Sequence, residues 1–214
     1  MASEPGLREL KKQRTRQLIA EAAFELFARD GFDRVSVAAI ARRAEVSEAT
    51  VFNYFRTKED LVFSQLEQFE AALVQAVRDR PAGEPVVAAF GAFIRHQHGL
   101  LGSSRPQDAA RLATVSRIIN DSPALLARER QVYDDHAGLL ATFLAEESAA
   151  RAGDLRPWIV ANALIGVHRA VVGYVRTEVL AGRGGAALLR RVRARAERAL
   201  ATLNDGLCHY LAGH

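Results

Sequence analysis

Residues 36–60 read SVAAIARRAEVSEATVFNYFRTKED, and this stretch decides the fold. Three helix starts are written into it. Ser36 precedes an apolar-periodic run and suits the N-cap, with Val35 and Ile40 at the two ends of a hydrophobic staple. Ser47 repeats the device, with Val46 and Val51 as its staple pair. Thr57, followed by Asp60, opens the next helix with a pattern resembling a capping box. Between the caps, Val37, Ile40, Ala41, Ala44, Val46, Val51 and Phe55 recur at spacings that build a small core between two crossed helices. The residues left outward at the second helix's start, Ser47, Glu48, Ala49, Thr50 and Asn53, are short and mostly polar. This is the pattern of a helix-turn-helix, whose second helix presents its N-terminal residues to the major groove.

Capped amphipathic pairs also occur in helical proteins that never meet DNA, so the flanking charge matters. Arg8, Lys11, Lys12, Arg14 and Arg16 crowd the approach to the first helix, opposed there only by Glu9. Alone, such a run reads as a solvated face or tail. Beside a helix-turn-helix it is placed to neutralise phosphates.

Residues 15–62 resemble the DNA-binding domain of TetR-type transcriptional regulators. The matching segments are TRQLIAEAAFELFARDGF, VSVAAIARRAEVS and ATVFNYFRTKEDLV, in register across three helices. The rest of the chain is similar only in length and helical character. Two positions depart from the family's pattern. Glu45 stands in the turn where glycine is usual, at a cost of about 1–2 kcal/mol if the backbone there is left-handed. Phe52 stands where tyrosine is frequent, which removes a phosphate contact through that hydroxyl. The resemblance implies a DNA-binding head over residues 1–57, including the basic arm, and a ligand-binding and dimerisation body over 58–214. It implies base-edge contacts from Glu48, Ala49 and Asn53. Thr50, Tyr54 and Lys58 are expected along the phosphates with Ser36, Arg14 and Arg16, and Ser47 is a further DNA-binding candidate.

At 214 residues the chain can bury a sizeable core. The formal charge of +4 is modest, with a pI near 9.6, so a nucleic-acid partner rests on where the charge lies. A single cysteine, Cys208, excludes an intramolecular disulfide and suits a reducing cytoplasm. The N-terminus carries no apolar signal segment, and no apolar run is read as approaching the ~20 residues of a bilayer span. A cytoplasmic protein without a membrane partner is therefore expected.

The periodicity predicts an all-α chain of nine helices, three in the head and six in the body. The first spans about 8–29, with Gly31 as its stop, and the fourth runs from Lys58 towards Arg80. Later helices are expected over about 86–101, 107–120, 123–150, 157–180 and 186–212, with Ser122 capping and Pro123 opening the seventh. On the last helix Leu189, Val192, Ala196, Leu200, Leu203 and Leu207 share a face, and on the one before it Ala161, Leu164, Ile165, His168, Val171, Val172 and Val175 form a broad apolar band. Two such helices can complete the subunit core or pair with a symmetry mate as a four-helix bundle. The resemblance favours the homodimer, with Leu200 and Leu203 near its two-fold axis.

The expected regulatory site lies in the body, where an effector pocket needs apolar walls and a few convergent polar groups. The candidate residues are Phe90, Phe93, His96, Tyr133, His136, Phe143, Asn162, His168 and Arg169. Each could equally be an ordinary core or surface residue; the set carries more weight than any member. The resemblance implies a hydrophobic or amphipathic small molecule as effector, and no cofactor or metal is expected. His96 and His98 lack further ligands at a metal-site spacing, and Cys208 with His209 lacks an acid or Gly-rich frame for nucleophilic catalysis. The glycines at 182–185 follow a helix and lack a P-loop lysine. An enzyme is therefore not expected. The reading is a repressor that a small ligand releases from a palindromic double-stranded operator. The other class in play is a ligand-free architectural DNA binder, and a solvent-shielded cavity in the body would separate the two.

Overall fold

The computed structural model describes residues 6–96 and 106–207; the side chains of residues 64–71, 96, 106 and 205–207 lie outside that description. Among the described residues there are nine α-helices and no strand. They are α1 (Leu7–Asp30), α2 (Val37–Arg43), α3 (Glu48–Tyr54), α4 (Asp60–Arg78), α5 (Val86–His96), α6 (Pro106–Asn120), α7 (Pro123–Glu147), α8 (Arg156–Leu180) and α9 (Gly185–Leu207). The all-α expectation holds.

The chain divides into two compact units. The first joins the residues up to Glu67 with Arg117–Arg128; the second takes Gln68–Ser116 and the chain from Glu129 onward. α4, α6 and α7 thus each have residues in both units.

In the first unit, Ile19, Ala23, Leu26 and Phe27 of α1 are buried with Phe32, Val35, Ile40, Ala41, Val51 and Phe55. Gly31 at φ 83° turns the chain after α1 while its N–H still donates to the Phe27 carbonyl. Ser36 accepts from the Ala39 N–H and Ser47 from the Thr50 N–H, so both N-caps form as read. The turn between α2 and α3 is a Schellman motif: the Val46 N–H reaches the Ala41 carbonyl at 2.9 Å and the Glu45 N–H the Arg42 carbonyl at 3.2 Å. It requires the left-handed backbone that Glu45 adopts at φ 56°, so this glutamate occupies a position suited to glycine.

The start of α4 is a reciprocal cap. The Thr57 N–H donates to Asp60 Oδ2 at 3.0 Å, and the Asp60 N–H to Thr57 Oγ1 at 3.2 Å. Asp60 is buried, and its other oxygen accepts from Arg128 of α7 at 3.0 Å. The corner between α6 and α7 adds a second tie, because Ser122 Oγ donates to Asp33 Oδ1 at 2.9 Å. This corner belongs to the first unit, which was not anticipated. α4 is thus one of three helices, with α6 and α7, that have residues in both units.

The second unit is organised around Leu73 and Val77 of α4, Phe90 of α5, Leu140 and Leu144 of α7, Leu164 of α8 and Leu200 of α9, all buried in one cluster. α5 and α9 approach closely at Gly91, where a Cβ would lie 3.0 Å from Leu200 Cδ1. Leu200 therefore fills the subunit's own core, which corrects its expected place on a two-fold interface. Leu203 is half-buried against the same cluster. The inner face of α9 is as read at Val192, Ala196 and Leu200, and Leu188 adds to it, fully buried where Leu189 is half-buried. α8 is long and apolar enough, by length and composition alone, to cross a membrane, which corrects the reading that no run approaches that length.

Candidate functional site

In the first unit, the first turn of α3 leaves Glu48, Ala49 and Asn53 exposed, with Thr50 and Tyr54 half-buried. The Ser47 and Thr50 hydroxyls lie 2.8 Å apart, so the cap orients a side chain that also faces outward. Ser36 and Arg14 are exposed. Phe52 is 50 % exposed, an unusual setting for a phenylalanine on a helix with so short a buried face.

The two expected phosphate contacts nearest the core rest on aromatic platforms. The Arg16 guanidinium sits 4.9 Å from the Phe55 ring centroid, and Lys58 Nζ 4.2 Å from that of Phe32. Cation–π attraction holds both charges beside the helix pair instead of leaving them free in water. Partial burial pushes the Lys58 ammonium below its ordinary pKa, opposed by the nearby carboxylates of Asp33 and Glu59. The platform was not read from the sequence. Its signal was Phe27 and Phe32 flanking Gly31, whose rings pack 5.0 Å apart.

In the second unit, the structure brings together part of the expected effector set. Phe90, Phe93 and Tyr133 belong to one buried cluster, and His136 and His168 are buried as well. The Tyr133 ring meets His168 edge-on at 5.9 Å and His136 at 6.3 Å. Burial pushes both imidazoles down to about 4, so they are neutral at pH 7, and burial raises the Tyr133 phenol above its ordinary value. Near the tyrosine, the buried Glu129 accepts from Arg176, with Nη1 at 3.0 Å from Oε2. This ion pair was not among the expected site residues.

Phe143 is half-buried, with the Arg78 guanidinium 4.9 Å over its ring. Asn162 and Arg169 stand outside the cluster: both are exposed, and Asn162 donates to the Trp158 carbonyl at 2.8 Å. The helical period explains this, because positions 162, 166, 169 and 173 lie opposite 161, 164, 165 and 168. The side chain of His96 and the residues His98, Cys208 and His209 lie outside the described residues. Among the described residues no group of three or more His, Cys, Asp or Glu side chains could hold a metal ion.

A capped, crossed helix pair with a polar first turn defines a helix-turn-helix protein. Comparison with known proteins then fixes the family. The profile described as "Bacterial regulatory proteins, tetR family" matches residues 19–64, and the one described as "MftR C-terminal domain" matches residues 84–206. The chain is 32% identical over 174 residues to the HTH-type transcriptional regulator TcmR of Streptomyces glaucescens, covering 78% of this chain and 75% of that one. It is 27% identical over 169 residues to the mycofactocin biosynthesis regulator MftR of Mycobacterium tuberculosis, covering 73% and 77%. The fold is similar to that of FadR from Bacillus subtilis, solved in complex with stearoyl-CoA, at TM-score 0.53 and 20% identity over 86% of this chain and 97% of that one. The chain belongs to the TetR family of bacterial transcriptional regulators. It is accordingly a DNA-binding regulator and not an enzyme.

Proposed function

We propose that this regulator is a cytoplasmic homodimeric repressor that leaves a palindromic operator when a small hydrophobic or amphipathic molecule enters its body. The observation that carries the reading is the exposed, capped first turn of α3 beside cations held on Phe55 and Phe32. Glu48, Ala49 and Asn53 are assigned to base edges; Ser36, Ser47, Thr50, Tyr54, Arg14, Arg16 and Lys58 to the backbone. The head, residues 1–57, binds DNA within a compact unit that the start of α4 and the α6–α7 corner complete, and the rest of the body, 58–214, binds effector and partner. Two recognition helices in a dimer must meet successive major grooves about 34–36 Å apart, or a multiple of it. An effector that favours another spacing lowers operator affinity by no more than its differential affinity for the two states. α4, α6 and α7, with residues in both units, are the elements through which that preference reaches the head.

The effector region is assigned to Phe90, Phe93, Tyr133, His136 and His168, where apolar walls surround polar groups that carry no charge at neutral pH. Phe143 stands at its margin, and His96 belongs by its place on α5.

Selection of duplexes from a random pool tests the DNA half. Enriched sequences are expected to carry inverted repeats with half-site centres about 10–10.5 base pairs apart or a multiple. Enrichment of single, unrepeated sites would overturn the dimeric reading. Native mass spectrometry of the purified protein, followed by operator binding with any co-purified molecule added back, tests the effector half. DNA affinity indifferent to every such molecule would favour the ligand-free architectural binder.

A further inference from the structure

We infer that Phe52 on α3 is a specificity-determining residue of the DNA site, its exposed ring packing on the C5-methyl group of a thymine in the major groove. The inference rests on the assignment of α3 to that groove. It adds an apolar reader to the polar base contacts given to Glu48 and Asn53.

The core of the head has no use for this ring. Val51 and Phe55, on the inner side of α3, are 1 % and 2 % exposed, whereas Phe52 is 50 % exposed. Among the described residues it is the one phenylalanine that stands exposed. Other rings of the head are engaged: Phe27 packs on Phe32, Lys58 lies over Phe32 and Arg16 over Phe55. Phe52 has no aromatic or cationic partner of this kind among the described residues. A lone exposed apolar side chain is ordinary on a protein surface, so the place of this one on α3 is what gives it meaning.

At 3.6 residues per turn, successive side chains on α3 stand about 100° apart. Going round the helix from Ala49, Asn53 lies about 40° to one side, with Thr50 and Tyr54 beyond it at about 100° and 140°. Phe52 lies about 60° to the other side, with Glu48 beyond it at about 100°. Burial follows this order: Glu48, Ala49, Phe52 and Asn53 are exposed, Thr50 and Tyr54 half-buried, and Val51 buried. Phe52 therefore flanks the base-facing strip on the edge away from the hydroxyls of Thr50 and Tyr54, which are assigned to the backbone. Ala49, three residues earlier, carries only a methyl group and leaves the space beside the ring open.

The phenyl ring has no hydrogen-bonding atom, so it cannot serve as a donor to a phosphate oxygen or to a base-edge acceptor. In the major groove the apolar group that marks one base from the others is the thymine C5-methyl, and phenylalanine is among the side chains that contact it. Deoxyribose offers apolar surface too, but it is the same at every nucleotide, and contact there carries no sequence preference. Burying one methyl group against the ring corresponds to about a 4-fold change in affinity for each thymine read.

The probe is the consensus duplex that the wild-type protein enriches from a random pool, with its thymines replaced one at a time by uracil. This substitution removes the methyl group and leaves the base pairing unchanged. At one thymine of a half-site the wild-type affinity should fall about 4-fold. Phe52→Ala, at an exposed position, should keep the helical circular dichroism and the melting temperature, and should bind the thymine and uracil duplexes equally at that site. Phe52→Leu, which keeps an apolar side chain, should retain part of the preference. A wild-type protein indifferent to uracil at every thymine overturns the inference. So does a uracil penalty that is the same in wild type and Phe52→Ala, which would give the methyl contact to another side chain. Asn53→Ala separates this failure from that of the site: if it shifts operator preference while uracil changes nothing, α3 reads the groove and only the role of Phe52 is lost. If neither has any effect, the assignment of α3 falls as well.

Discussion

Replacing His168 by glutamine should flatten the acid limb of the protein's stability curve. His168 is buried on α8, and burial holds its imidazole down to about 4 from an ordinary 6.5. The unfolded chain therefore binds a proton that the folded chain refuses. Stability attributable to this group is fully present above pH 6.5 and is lost as the pH falls from there towards 4, where the slope ends. At pH 5 the loss is about 2 kcal/mol, approaching ~3 kcal/mol below the folded value. His136 adds to the slope in the same direction, and its charge is further opposed by His168. The groups around the pair, Tyr133 with Glu129 and Arg176, remain in both proteins, so the difference between wild type and variant reports His168 together with its opposition to the His136 charge. Urea titrations at half-unit steps from pH 7.5 to 4.5 measure it. The wild type should lose about 2 kcal/mol more than His168→Gln between pH 7 and pH 5. Parallel curves, or an imidazole that titrates near 6.5 by NMR in the folded protein, would refute the reasoning.

Lys58→Ala should weaken binding to all duplexes and reduce the slope of log affinity against log salt by about 1, whereas Asn53→Ala should alter preference among selected operators; unchanged affinity at both low and high salt for the first would count against the assigned orientation. Glu45→Gly should raise stability by about 1 kcal/mol, a few degrees in melting temperature, because the φ of 56° costs glycine nothing; a lower melting temperature would argue against strain there. Asp60→Ala should cost about 2–3 kcal/mol, since it removes the acceptor for the Thr57 N–H and the partner of Arg128, and equilibrium unfolding that matches wild type would dismiss the shared cap.

What the sequence disclosed was the local part. Ser36, Ser47, Thr57 and Ser122 signal helix starts through hydrogen bonds made within three residues, and these appear where they were read. The end of α7 was harder, because its left-handed cap residue is Ala149 at φ 47° and not a glycine. On α8 the apolar band is as read, with Ala161, Leu164, Ile165 and His168 buried, but Asn162 and Arg169, grouped with His168 as effector candidates, are exposed on another face. Leu200 illustrates a further limit. Periodicity marks it as apolar-facing, but only the approach of Gly91 shows that its partner is α5 of the same subunit. The Lys58–Phe32 platform and the α6–α7 corner depend on contacts distant in sequence, and nothing local announces them.

The tie from Asp60 to Arg128 spans 68 residues, and that from Asp33 to Ser122 spans 89. The head is consequently assembled from two separate pieces of the chain. During synthesis its first three helices emerge well before the segment that completes them, and until Arg128 leaves the ribosome the carboxylate of the α4 cap lacks its guanidinium. The nascent head is then an unfinished unit, held by α1–α3 packing, and it matures only after residues 68–116 of the second unit have emerged. An excised fragment ending near Glu67 should behave like that nascent form, helical but less stable than the same residues in the full chain.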